Sequence, residues 1–265
     1  MRTTAGTVAS ADGTRIAFRR QGDGPPLLIV PGTLAPADLY RPLADLLAER
    51  YQVVLMDRRN YGASGAGAGP GTFARQAEDV AAVLNVLDAP AFVFGHSFGG
   101  LAALHAVFIA GPQVSRLALY EAPVTLAGPP LVPVLGACRD LVRAGRPADA
   151  VSHFLAAASD PPPGPDAERE LRPLGAMLGH LASGLLADLD CMTSMDPDLS
   201  RWTGIGTPAL LLSGAHSDRI DRESTRILSG LLPDVRTVIL PGLAHQPDPP
   251  APVAQALFGF LGPGR

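Results

Sequence analysis

At 265 residues the chain is long enough for one or two domains at about 150 residues each, with a core that needs neither disulfides nor a structural metal. Hydrophobic residues make up 47% and charged residues 17%, which excludes disorder caused by low hydrophobicity. Every basic residue is arginine and the net charge is −4, so a Schiff-base lysine, a phosphate loop ending in Gly-Lys and a basic nucleic-acid footprint are all excluded.

From the N-terminus, Met1 to Gly6 carries no apolar secretory stretch. Thr14 to Arg19 alternates and predicts a half-exposed strand after the Asp12-Gly13 turn, pairing with a short strand near 7–9 as an antiparallel edge. Pro26 to Val30 and Tyr51 to Met56 are short continuous apolar runs, suited to strands buried on both faces. Between them, Leu39, Leu43, Leu46 and Leu47 recur at helical spacing over 37–49. A helix is predicted over 73–87, a strand over 91–94, a helix over 98–110 and a strand over 114–120. Strands at 208–212 and 236–240 and helices at 221–231 and 251–261 complete the chain. Residues 89–115 carry no charged side chain, but Pro90, Gly95, Gly99, Gly100, Gly111 and Pro112 break the run of about 20 apolar residues that a membrane helix needs.

Strand and helix alternate nearly throughout, which predicts an α/β fold: a mostly parallel sheet with helices on both faces. Residues 122–206 depart from the pattern, with helical periodicity, no convincing strand, and proline at 129–130, 133 and 161–163. They read as a helical insertion, so that 1–121 and 207–265 form the core and 122–206 a cap. Cys138 and Cys191 stand in no C-x-x-C or Cys/His metal spacing, and a reduced, cytoplasmic chain is expected.

Gly95-His96-Ser97-Phe98-Gly99 is a G-x-S-x-G between a predicted strand and a predicted helix. In that context the serine sits at the tip of a tight turn, the flanking glycines let strand and helix approach, and the helix N-terminus favours a developing anion. Ser97 is therefore the expected nucleophile. With it the chain resembles the α/β-hydrolase superfamily over essentially its whole length. Asp57-Arg58-Arg59-Asn60-Tyr61-Gly62-Ala63-Ser64 resembles the superfamily's D-x-R-G-x-G-x-S, with Asn60 where Gly is usual. Asn tolerates a left-handed backbone, so the loop geometry is expected to survive, with a structural role.

The resemblance implies the chain order nucleophile, acid, histidine. Leu210 to Asp218 ends a predicted strand in an acid loop, and Val238 to His245 ends the next in a histidine loop. Both fall at C-terminal strand ends, where open α/β sheets build their sites. Asp218 is the expected acid and His245 the expected base. Glu121, which ends the strand after the nucleophile helix, is a rival acid or a substrate contact. Leu34 and His96 are further candidate substrate contacts. The expected oxyanion donors are the amides of Phe98 and Thr33, with the Thr33 hydroxyl as a possible addition. The superfamily usually reads His-Gly-x at the second site, and here Pro31 replaces that His, which leaves the loop's support open. His105, further along the predicted helix after the serine, is expected in packing or at the surface; His153, His180 and His216 show no metal-ligand spacing, and neither a metal nor a cofactor is expected.

A serine nucleophile suits acyl transfer. Apolar residues in the insertion, such as Leu131, Phe154, Met177 and Met192, are expected to roof a hydrophobic pocket in part. The expected function is hydrolysis of a small to medium apolar carboxylic ester or related acyl compound through an acyl-enzyme. Carbon–carbon hydrolysis, lyase or thioesterase chemistry, and a non-catalytic ligand receptor, are the alternatives. The expected partner is a small acyl substrate, with no nucleic acid or membrane, on a monomer or homodimer.

Overall fold

A computed structural model of the chain describes residues 3–159 and 166–262. The prolines at 161–163 therefore lie outside the described residues. In chain order the core runs through β1 (Thr4–Ala9), β2 (Arg15–Gln21), β3 (Pro26–Val30), α1 (Arg41–Leu47), β4 (Gln52–Met56), α2 (Phe73–Leu84), β5 (Ala91–His96), α3 (Phe98–Ala110) and β6 (Val114–Tyr120). Among the described residues four α-helices follow before the next strand: α4 (Val132–Arg143), α5 (Pro147–Ala157), α6 (Ala167–Leu178) and α7 (Ala182–Thr193). The chain then returns through β7 (Ala209–Gly214), α8 (Arg219–Leu231), β8 (Val235–Leu240) and α9 (Pro250–Leu261).

The eight strands form one sheet in the order β1-β2-β4-β3-β5-β6-β7-β8. As the alternation predicts, β3 to β8 are parallel, and only β1 and β2 run antiparallel to their neighbours. β1 starts earlier than expected, at Thr4, because the ladder with β2 continues to Thr4 opposite Arg20. The helix predicted over 37–49 is a 3-10 turn over Ala37–Tyr40 that leads into α1.

Side-chain alternation along the buried strands divides the core into two layers. Leu28, Val30, Val54, Val93 and Leu119 face α2, α3 and the inserted helices. Leu27, Ile29, Val53, Phe94 and Leu212 face α1 and α9. Each such side chain, fully buried, contributes about 1.5–3 kcal/mol relative to exposure. α3 is apolar on nearly every face and is buried in the first layer from Phe98 to Val107, with Phe108 and Ile109 exposed near its end. No helix among the described residues is long and apolar enough to cross a membrane. Cys138 and Cys191 are both free and buried.

Candidate active site

β5 lies in the middle of the sheet, and its C-terminal end turns sharply into α3 at Ser97, whose backbone is left-handed (φ 52°, ψ −125°). An L-residue is rarely held there, and strained single residues of this kind cluster at functional sites. The turn is held by the Ser97 amide donating to Tyr120 O (2.8 Å). Its glycines are required by close approach: a Cβ on Gly99 would lie 2.1 Å from Val30 O, and one on Gly95 2.6 Å from Gly99 O. Phe98 opens α3, and its ring is buried between Phe73 (5.3 Å) and the Arg58 guanidinium (4.4 Å).

His245 follows β8 and is brought against this turn by two anchors. Tyr120 Oη donates to Ala244 O (2.5 Å), and His96 Nε2 donates to His245 O (2.9 Å). A carbonyl only accepts, so Nε2 of His96 carries the proton and Nδ1 takes the Tyr40 hydroxyl hydrogen (2.6 Å). Tyr40 Oη in turn accepts the Gly32 amide (3.0 Å). One chain of hydrogen bonds thus ties the loop after β3, the residue before Ser97, and the His245 loop. Burial pushes His96 down to about 3, so it stays neutral in this network.

Two carboxylates meet Nδ1 of His245: Glu121 Oε2 at 2.9 Å and Asp221 Oδ2 at 3.1 Å. Here the sequence expectation needs correction. Asp218 occupies the N-cap position of α8, and Asp221 is the residue one turn into that helix that turns toward the imidazole. Glu121 reaches the ring because its own backbone is left-handed (φ 51°) at the end of β6, which sends the side chain across to the β7–α8 loop. There its Oε1 accepts from the Gly214 amide (2.8 Å), Ser213 Oγ (3.0 Å) and Ser217 Oγ. Burial raises a carboxyl, but the bonds from His245 and Ser217 win and hold Glu121 below the usual range. Asp221 is raised, by burial first and by the Glu121 charge, against the bond from His245. Of the two, Glu121 is therefore the one whose surroundings favour the charged form. Burial would lower His245, but the bonds to Asp221 and Glu121 and their charge raise it to about 10. Nε2 remains as the ring nitrogen able to take a proton from a nucleophile.

Glu121 (1% exposed) and His96 (2%) are buried and fully engaged, so neither presents surface to a substrate. Leu34 is also buried, with φ 55°, and packs in the core. These three expected substrate contacts are instead parts of the frame. Among the described residues, neither the Thr33 nor the Phe98 amide donates to a protein acceptor, and the buried Thr33 Oγ1 has no partner. Gly32 packs against Ser97, a Cβ placed on it falling 3.2 Å from Ser97 Cβ. Two amides without a protein acceptor near the half-buried Ser97 are the type of donor that a tetrahedral oxyanion requires.

Of the residues expected to roof the site, Leu131, Phe154 and Met192 are buried in the first core layer, whereas Met177 is 63% exposed. The Asp57–Ser64 loop is structural in the way expected. Asn60 is left-handed (φ 66°), and Ser64 Oγ accepts from Ala17 N (2.8 Å) and donates to Asp57 O (2.6 Å). Arg59 is held by Asp79 at 2.6 Å through each oxygen. Glu121, Asp221 and His245 are also the described grouping that could ligate a metal, their ligand atoms lying within 4.8 Å of one another. The shared proton on Nδ1 accounts for that closeness without an ion.

Residues 27–256 match a family described as the alpha/beta hydrolase family. An alpha/beta hydrolase from Sphaerobacter thermophilus is 31% identical with a TM-score of 0.85, over 97% of this chain and all of that one. A 2-(acetamidomethylene)succinate hydrolase from Mesorhizobium japonicum is 26% identical over 92% of this chain and 90% of its own length. A putative carbamate hydrolase, RutD, from Azorhizobium caulinodans is 34% identical, but the match spans only 38% of this chain and 39% of that protein.

Proposed function

Because this chain belongs to the alpha/beta hydrolase family, we propose that it is a serine hydrolase acting on a small to medium apolar carboxylic ester through Ser97, His245 and Glu121. The observation that carries this reading is the Glu121 Oε2–His245 Nδ1 hydrogen bond (2.9 Å) on a histidine loop pinned to the strained turn that carries Ser97.

The mechanism runs in two halves. Ser97 Oγ attacks the carbonyl while Nε2 of His245 takes its proton, and Glu121 stabilises the imidazolium at Nδ1. The Thr33 and Phe98 amides hold the oxyanion. The imidazolium gives its proton to the leaving group, and His245 then activates water to release the acid. Helices α4 to α7 act as the cap over this site. The Arg58 guanidinium is neutralised by Asp188, which favours an uncharged acyl group over a carboxylate-bearing one.

A second reading is hydrolysis of an acyl–nitrogen bond. It is favoured by two curated relatives, whose names specify a carbamate and an acetamido compound. Intact-mass labelling with a fluorophosphonate tests the shared premise: one adduct on the wild type, absent from Ser97→Ala, is expected. No adduct on either protein removes Ser97 as an activated nucleophile. Parallel turnover of p-nitrophenyl acetate and p-nitroacetanilide then separates the two readings, with ester preference expected.

A further inference from the structure

The loop after β3 has its backbone polar groups taken up by three side chains. Arg58 Nε donates to Pro31 O (2.8 Å) and an Arg58 terminal nitrogen to Gly32 O (2.8 Å). The Gly32 amide donates to Tyr40 Oη (3.0 Å) and the Leu34 amide to Tyr61 Oη (3.2 Å). Pro31 has no amide hydrogen. Among the described residues the Thr33 amide is left without a protein acceptor, so the loop is clamped on both sides of it.

Arg58 and Tyr61 are themselves held by a single carboxylate from far along the chain. Asp188, on α7, takes two nitrogens of Arg58 at 2.7 and 2.8 Å and the Tyr61 hydroxyl at 2.7 Å. Arg58 and Asp188 are each 1% exposed, and the guanidinium is sandwiched over Tyr61 (4.6 Å) and Phe98 (4.4 Å). A guanidinium presents a rigid fork, so where its far edge is fixed its near edge is fixed too. Removing the carboxylate leaves a buried cation whose remaining acceptors are the two carbonyls of the loop. It also releases the hydroxyl that receives the Leu34 amide.

We propose that Asp188 and Arg58 are positioning residues, through which the inserted helix α7 sets the Thr33 oxyanion donor. The oxyanion hole is then complete only while α7 is docked. This rests on the serine-hydrolase reading. It also explains how the loop does without the His that Pro31 replaces: the support comes from the inserted helix instead.

The test compares wild type, Asp188→Asn and Tyr61→Phe in the full chain. Steady-state hydrolysis of p-nitrophenyl acetate is measured beside inhibition by butyl trifluoromethyl ketone, whose serine adduct places an oxyanion in the hole. In folded Asp188→Asn, kcat is expected to fall about 10²-fold with KM within threefold, as for loss of one oxyanion donor, and the ketone Ki to rise in parallel. Tyr61→Phe keeps the charge pair and serves where Asp188→Asn does not fold; a kcat loss of about tenfold with a parallel rise in Ki is expected. A lowered melting temperature with unchanged kcat and Ki in the folded variants makes the pair purely structural and overturns the proposal. A wild type that neither turns over the ester nor binds the ketone overturns the hydrolase reading itself, and the two failures are distinct.

Discussion

Glu121 and Asp221 contend for one imidazole hydrogen, and the bonds to their other oxygens decide between them. Glu121 has three further donors on Oε1 and is held ionised, while Asp221 is pushed toward its protonated form by burial and by its neighbour. Replacing Glu121 by Gln is therefore expected to lower kcat by about 10³–10⁴-fold, the scale of losing the acid behind a catalytic histidine, whereas Asp221→Asn stays within about tenfold. Steady-state kinetics on the two variants checks this, and the reverse order would make Asp221 the acid. His245 carries a pH prediction as well. With its pKa raised to about 10, it is protonated at neutral pH, and the base form grows as pH rises. kcat/KM is expected to climb about tenfold per pH unit through neutrality, and a flat profile between pH 5 and 8 would contradict His245 as the base.

The turn at Ser97 depends on how closely β3, β5 and α3 approach. With a Cβ at Gly99 falling 2.1 Å from Val30 O, Gly99→Ala must push α3 off the strand. Overpacking of this kind costs about 1–3 kcal/mol, and here the displaced element carries Ser97 and the Phe98 amide. Both the urea midpoint and the rate of fluorophosphonate labelling are expected to fall. Retention of both would mean that the turn tolerates a side chain and is not held by that contact. Asn60 illustrates the opposite case: its left-handed φ of 66° follows from the resemblance, which sets Asn at a position where Gly is usual, and Asn is among the few side chains that tolerate that region.

For the whole molecule, three histidines set opposing pH limits. His96 and His105 are lowered by burial to about 3 and about 4, so the unfolded chain binds protons that the folded chain excludes. Their contribution is present above the unfolded value of 6.5 and is lost progressively as pH falls toward those values. His245 is raised to about 10, so its contribution is complete below 6.5 and is lost as pH rises toward 10. Together they place a stability maximum near pH 6.5. Thermal melts at pH 4.5, 6.5 and 9 are the check, and a steady rise across all three would contradict it.

Strand and helix alternation, the turn at Ser97, the His245 loop and the helical segment between β6 and β7 were all legible in the chain. Each is a matter of near neighbours: apolar periodicity, glycine spacing, and residue types that suit a particular turn. The carboxylate on His245 was legible only in part: Glu121 stood as the rival to Asp218. Asp218 sits at a plausible spacing, yet Glu121 meets His245 across 124 positions of sequence because the sheet sets β6, β7 and β8 in succession and their C-terminal loops meet at one edge. Nothing local marks Asp221, which is one charge among several on a helix. Arg58 read as an ordinary loop residue until Asp188, 130 positions away, was brought onto it. Local spacing governs backbone conformation, but which charges share a proton or a buried pair depends on which loops the folded sheet brings together, and that only the tertiary structure decides.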